Sequence, residues 1–305
     1  MTTGTRSLLI GASGQLGAQI FHLLGRDRCT VTSRRADSAG ELPLDLAALA
    51  TVADADAALG KQAYDVIYCI AGMTAVDACE DAPELAHNIN CRGPEMLARV
   101  ASKRSIPFVY FSTEYVFDGT AGPYHEDDPT NPLSVYGKSK WDGELAVKAA
   151  CSHALILRTT VVYGQDFGQK NYVYSLMRLL AAGKTMRVPR DQVSTPTYNR
   201  DLAAATIALA QRGASGTYHA CGPERMDRLD FARKVAQFLS LDVTLLHGVP
   251  TSELGQKAPR PLDAGLAIDK LRLLHPDLTM RPLAEALADC RADLEAFLRT
   301  CSTGP

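Results

Sequence analysis

No apolar run in the 305-residue sequence approaches the ~18 residues that cross a membrane. Charge of one sign is also missing. Lys and Arg number 32 against 34 Asp and Glu, a net of −2, which argues against nucleic acid or an anionic membrane as the main partner. The eight cysteines, at 29, 69, 79, 91, 151, 221, 290 and 301, form no C-x-x-C pair. None joins a histidine at zinc-ligand spacing, so no metal is expected and the thiols read as reduced core residues. Neither a repeat nor a low-complexity tract occurs. An export signal is not apparent either: residues 1–6 are polar, and the apolar run Leu8–Ile10 stops at a glycine. A cytoplasmic chain is expected. What is abundant is ordinary core material, 46% hydrophobic residues with 22% charged, enough for one or two domains.

Short apolar runs alternate with helical patterns. Strands are expected at 7–11, 29–33, 64–72, 107–112, 154–164 and 216–222, with helices at 44–59, 83–103 and 134–150 between them. After the first strand, Leu16, Ile20, Leu23 and Leu24 mark one face of a helix. Such alternation predicts an α/β fold: a Rossmann-type, doubly wound parallel sheet with a smaller, helix-rich C-terminal substrate lobe. The expected division is 1–163 plus 197–222 for the sheet domain and 164–196 plus 223–305 for the lobe.

"GASGQLG" sets Gly11, Gly14 and Gly17 between a strand and a helix. In that context the glycines allow a tight turn and close approach of a pyrophosphate, and the helix start offers unpaired N–H groups. The second strand ends at Ser33, Arg34 and Arg35, with no acid before Asp37. Two guanidiniums and a hydroxyl suit the 2′-phosphate of NADP, so NADPH is expected ahead of NAD. Surface arginines that are merely solvated would read the same way.

"VYGKSK" sets Tyr136 and Lys140 four apart, on one face if helical. A nearby ammonium favours the phenolate and brings a phenol towards working pH, where it serves as a general acid. On any helix surface the same pair can be inert.

Together the glycine loop and Tyr136-x-x-x-Lys140 resemble the extended branch of the short-chain dehydrogenases/reductases, which mostly act on nucleotide sugars. "TAVDACEDAPELAHNIN", "STEYVFDG", "NPLSVYGKSKWDGE", "RTTVVYG", "DQVSTPTYNRDLA" and "RPLDAGLAIDKL" follow in the order found in dTDP-4-dehydrorhamnose reductases, over most of the chain. The resemblance implies NADPH-dependent reduction of a keto group on a nucleotide-activated deoxy sugar. It implies Tyr136 as proton donor, Lys140 on the nicotinamide ribose, and Thr113 on the substrate oxygen with Ser112 as fallback. Cofactor contacts are expected from Gly11, Ser13, Gly14, Gln15, Leu16, Gly17, Ser33, Arg34, Arg35, Asp45, Leu46, Ala71 and Gly72, besides Tyr136 and Lys140. Substrate contacts are expected from Ser112, Glu114, Val161, Gln192, Thr197 and Arg260, and a homodimer is an open expectation.

Three residues depart from that family. Glu114 stands for the usual Asp, Cys69 for a common Asn beside the cofactor, and Val161 for a tryptophan near the sugar. Asp45 reads equally well as a helix cap. Asn90 falls where the superfamily has an asparagine supporting the active-site helix, or is a polar core residue. "HEDD" (125–128) reads as a solvated loop before a cation site. "YVFDG" (115–119) is shared with the regulatory β subunit of methionine adenosyltransferase, so a non-catalytic NADP-binding subunit is the rival function. An epimerase or dehydratase is the third reading, disfavoured by the absent acid after the second strand.

Overall fold

The structure is a computed structural model, and it describes residues 6–34 and 41–302. Seven strands form one parallel sheet: β1 (Ser7–Ile10), β2 (Cys29–Ser33), β3 (Leu42–Pro43), β4 (Val66–Cys69), β5 (Phe108–Thr113), β6 (Leu155–Thr159) and β7 (Gly216–His219). Their order is β7-β6-β5-β4-β1-β2-β3. The order reverses between β1 and β4, so a crevice opens beyond the C-terminal ends of these strands, where ligands of such sheets bind.

Alternate side chains feed two cores, as the two-residue repeat of a strand requires. Leu9, Val109, Phe111 and Leu157 pack with Leu16 and Ile20 of the helix Gln15–Leu24, and with Leu202 and Leu209 of the helix Asn199–Gln211. Leu8, Ile10, Phe108, Tyr110 and Ile156 face the helices Val52–Leu59, Gly93–Lys103 and Val135–Ala150. A third core joins Val173, Met177, Val188, Phe231, Leu287 and Phe297, from the helix Tyr172–Ala181 and the C-terminal half. Leu266, Ile268, Leu271 and Met280 pack on the sheet side instead.

Three expected elements differ in detail. The expected helix 44–59 is a 3₁₀ turn, Leu46–Ala48, followed by a separate helix, Val52–Leu59, because Asp45 caps the first and Thr51 starts the second. The apolar run 154–164 is not one strand. After β6 the backbone turns at Val161 (φ +41°), and Val162–Tyr163 pairs with Thr197–Tyr198 outside the sheet. The expected helix 83–103 is broken by a π-turn over Asn88–Arg92. Pro94 accounts for this: it has no N–H to donate to the Asn90 carbonyl one turn back. The Tyr110 hydroxyl donates to that carbonyl instead, at 2.5 Å.

The stretch 125–128 is not simply solvated. Glu126 is buried, and its carboxylate accepts the His219 backbone N–H at 2.8 Å. Nearby Arg158, also buried, donates twice to Glu144, at 2.9 and 2.8 Å. Burial and that guanidinium drive the His219 imidazole down to about 3, so it stays neutral. All eight cysteines are free, and all but Cys29 and Cys301 are buried. No helix among the described residues is long and apolar enough to cross a membrane.

Candidate active site

The crevice is lined first by the turn after β1. Gly17 is buried; a Cβ there would lie 2.1 Å from the Gly11 carbonyl oxygen, so the protein's own packing demands glycine. Gly14 is different. Its φ of −78° suits any residue, and a Cβ would meet nothing closer than 3.5 Å. Gly14 and Ser13 are exposed, and no side chain caps the helix start. Unspent N–H groups and helix dipole therefore face the crevice.

The neighbours of this turn are partly committed to the protein. Leu16 belongs to the core. Gln15 donates to the Val162 carbonyl at 3.2 Å and accepts from Asn171 at 3.1 Å, tying the helix to the segment after β6. Asp45 caps the turn Leu46–Ala48, accepting the Ala47 N–H at 3.0 Å, and Leu46 is buried. At the end of β2, Ser33 is half-buried and Arg34 exposed; Arg35 lies outside the described residues. Ala71 and Gly72, just after β4, are half-buried at the crevice floor.

Ser134 caps the helix Val135–Ala150, accepting the Gly137 N–H at 3.2 Å. The helix carries Tyr136 and Lys140 on one face, both buried. Thr113, the last residue of β5, lies beside the phenol and favours its ionised form. Burial outweighs that and pushes the phenol above its usual value. The expected pull by Lys140 is not what dominates. Its ammonium lies 4.1 Å from the centroid of the Tyr110 ring, and burial lowers it to about 8. No hydrogen bond or ion pair reaches that ammonium among the described residues. Beyond the Tyr110 ring its donors are free, and a ribose hydroxyl is a group that would take one.

Sequence reasoning left Asn90 undecided; the structure gives it a definite place. Its side chain bonds both backbone groups of Met73, and its amide also donates to Ser139 at 3.0 Å. Ser139 in turn donates to the Tyr136 carbonyl at 2.8 Å. The loop after β4 and the Tyr136 helix are thus joined through one amide.

Of the expected substrate residues, Ser112 and Glu114 are buried; Ser112 Oγ has no hydrogen bond, and Glu114 Oε2 has none beyond the neighbouring Thr160 hydroxyl. Burial raises the Glu114 carboxyl to about 8. Val161 holds a left-handed backbone and borders the third core. Gln192 spends its amide on Thr251 and Gln256, both at 3.0 Å. Arg260 pairs with Asp77 at 3.0 Å and leaves Nη1 buried without a partner. Thr197 is a correction. It is fully buried, and its hydroxyl donates to the Thr195 carbonyl and accepts the Gly222 N–H, so it packs the frame and has no side-chain face towards a substrate.

Sequence reasoning missed Tyr110, Thr160, Tyr172 and Arg228. Tyr110, Thr160 and Tyr172 lie in or beside apolar runs and Arg228 in a charged stretch, and no spacing marks any of them out.

This geometry has close parallels among known proteins. A dTDP-4-dehydrorhamnose reductase of Bacillus anthracis, solved in complex with NADP, superposes with a TM-score of 0.86 at 28% identity, covering 95% of this chain and all of that one. The Clostridium acetobutylicum reductase gives 0.85 at 31% identity, with the same coverage. A probable low-salt glycan biosynthesis reductase of Haloferax volcanii is 33% identical over 261 residues, 84% of this chain and 87% of that protein. The dTDP-4-dehydrorhamnose reductase of Sinorhizobium fredii is 35% identical over 244 residues, 76% of this chain and 80% of that protein. The model of the RmlD substrate binding domain matches residues 5–295, and the chain belongs to that family.

Proposed function

We propose that this protein is an NADPH-dependent reductase of a keto group on a nucleotide-linked deoxy sugar. The observation that carries the reading is that Thr113 lies beside the buried Tyr136 phenol, with Lys140 one turn on along the same helix and next to Gly72, while the helix start after β1 is uncapped. The relatives are reductases, and one neighbour holds NADP.

The residues present fit that cofactor. Gly14 and the N–H groups behind it would receive the diphosphate. Ser33 and Arg34 would take the ribose end that carries the 2′-phosphate, together with Arg35. Ala71 and Gly72 would border the nicotinamide half, and Lys140 would donate to its ribose. When bound, NADPH supplies the hydride.

The chain's own part is to hold the substrate carbonyl and move one proton. Thr113 Oγ1 hydrogen-bonds the carbonyl oxygen as it gains charge. Tyr136 gives its proton to the same oxygen. A phenol raised by burial keeps that proton until the alkoxide develops. Once Lys140 is held on a ribose hydroxyl, its charge stabilises the phenolate left behind. Ser112, Glu114, Val161 and Arg260 would border the sugar nucleotide, and the second lobe would close over it. The reading uses the division 1–163 plus 197–222 and 164–196 plus 223–305, with residues 266–280 resting on the sheet domain. It implies a soluble enzyme working in the cytoplasm.

The test is loss of NADPH absorbance with dTDP-4-dehydrorhamnose and a panel of related keto sugars. Turnover supports the reading. NADPH binding without turnover on any of them would leave the rival, a cofactor-binding regulatory subunit.

A further inference from the structure

Beyond Thr113 the crevice holds polar groups for which proton transfer has no use. Glu114 and Thr160 are buried side by side, close enough for the Thr160 hydroxyl to favour the ionised carboxyl, and Glu114 Oε2 and Thr160 Oγ1 have no hydrogen-bond partner besides each other. The Tyr172 hydroxyl is also buried and unpartnered. Arg228, the first residue of the helix Arg228–Phe238, sets its guanidinium 5.1 Å from the centroid of the Tyr172 ring. It lies near enough to favour ionisation of Glu114. Its backbone is fixed, since Arg228 N donates to the Gln192 carbonyl at 2.9 Å. Yet no hydrogen bond or ion pair reaches its guanidinium among the described residues. Arg158, Arg260 and Arg281, by contrast, each hold a carboxylate.

In a core, a carboxyl and a hydroxyl with only each other, an unpartnered phenol and an arginine with no ion pair would be a defect. Around a ligand crevice they are the complement of something. A carboxyl raised to about 8 is protonated at neutral pH, so it both donates and accepts. The two hydroxyls do the same, and the guanidinium donates. The Tyr172 ring adds a flat apolar face, and it packs against the same core as Val161. Hydrogen-bonding groups of both kinds around a flat face match a ring of sugar hydroxyls. They do not match a diphosphate, which draws several cations at once. The cluster also adjoins Thr113 through Glu114, so it neighbours the reacting carbonyl, which sits on the sugar.

We propose that Arg228 is a specificity-determining residue that holds hydroxyl groups of the sugar ring, together with Glu114, Thr160 and the face and hydroxyl of Tyr172, and leaves the diphosphate to other groups. Tyr172 and Arg228 stand in for the aromatic platform that Val161 does not provide. The inference rests on the nucleotide-sugar reading above.

Calorimetric titration of the full chain, saturated with NADP, tests it with two ligands, dTDP and dTDP-rhamnose. Arg228→Met is expected to weaken dTDP-rhamnose about tenfold or more and to leave dTDP within about twofold, because the lost bonds go only to the sugar. In turnover, KM for the keto sugar rises more than kcat falls. Tyr172→Phe, which removes one hydroxyl and no packing, is expected to weaken dTDP-rhamnose about three- to tenfold. NADPH affinity reports whether each variant is folded, and Arg228→Lys serves if the methionine variant is not. Equal losses for dTDP and dTDP-rhamnose would assign Arg228 to the diphosphate and overturn the proposal. So would no loss for either. A wild-type protein that binds NADPH but neither dTDP ligand would instead remove the nucleotide-sugar reading, and this inference with it.

Discussion

Asn90 and Met73 are joined twice: Asn90 Oδ1 accepts the Met73 N–H at 2.8 Å, and Asn90 Nδ2 donates to the Met73 carbonyl at 3.0 Å. The side chain thus imitates a strand partner for a loop that has none. Asn90 is fully buried, so truncating it strands both Met73 backbone groups and removes the bond that Ser139 Oγ accepts. Asn90→Ala is expected to cost about 2–4 kcal/mol of stability. Because the same amide sets the loop against the Tyr136 helix, kcat should fall even at temperatures where the variant stays folded. Thermal melts paired with assays well below the transition check both. An unchanged kcat in the folded variant would reduce Asn90 to a packing residue.

Removing the Tyr136 hydroxyl tests proton transfer alone. Tyr136→Phe keeps the ring that meets Tyr115 edge-on at 5.4 Å between centroids. It is expected to lower kcat about 10²- to 10⁴-fold, the usual worth of a placed general acid. NADPH affinity should move by no more than about twofold, since Lys140 and the glycine turn remain. Single-turnover kinetics and a cofactor titration read the two numbers separately.

The sheet was legible because its strands are short apolar runs between clear breaks, and the crevice because "GASGQLG" and Tyr136-x-x-x-Lys140 are local patterns. What escaped was set by contacts distant in sequence. The π-turn at Asn88–Arg92 follows from Pro94, but its rescue by Tyr110 requires two elements to be in register. Thr197 looked like a substrate contact because its neighbours Asp191 and Gln192 were informative, whereas its burial depends on Gly222 and Thr195. Tyr172 and Arg228 meet across 56 residues of sequence, and no spacing could announce that. The effect of Lys140 was misjudged for a different reason. A pairwise attraction can be estimated from sequence, but the desolvation that opposes it cannot.

Two glycines of one turn should fail in different ways. A Cβ at Gly17 collides with the Gly11 carbonyl and with Ala12, so Gly17→Ala must move backbone and is expected to lower the melting temperature by several degrees. Gly14→Ala meets no such obstacle. It should melt like the wild type yet bind NADPH about tenfold or more weakly, because its methyl projects where a diphosphate approaches the helix start. Calorimetry with NADP and a melting curve for each variant separate folding from binding. Equal melting losses would remove the argument that Gly14 serves the ligand.

Arg34 is exposed at the end of β2 and free to meet a phosphate. Arg34→Ala is expected to raise KM for NADPH about tenfold and leave KM for NADH nearly unchanged, since one charge-assisted contact to the 2′-phosphate is lost. Equal changes for both cofactors would place that phosphate elsewhere.

Glu114 makes stability depend on pH in a direction opposite to most carboxylates. Its ordinary value is 4.5, and burial raises it to about 8 in the folded chain. Between those two values the folded state binds more protons than the unfolded state. Stability therefore falls as pH rises through that window; the loss is absent below about 4.5 and complete above about 8. Glu114→Gln removes the charge and keeps the shape. Its melting temperature should match the wild type at pH 5 and exceed it increasingly towards pH 9. The gain there should reach about 1–3 kcal/mol, less than the full shift would give because a buried site relaxes when it ionises. Groups that titrate alike in both proteins, Lys140 among them, cancel in the comparison. A difference that stays constant from pH 5 to pH 9 would mean that Glu114 ionises as readily inside the protein as outside, and that Arg228 already neutralises it without a ligand.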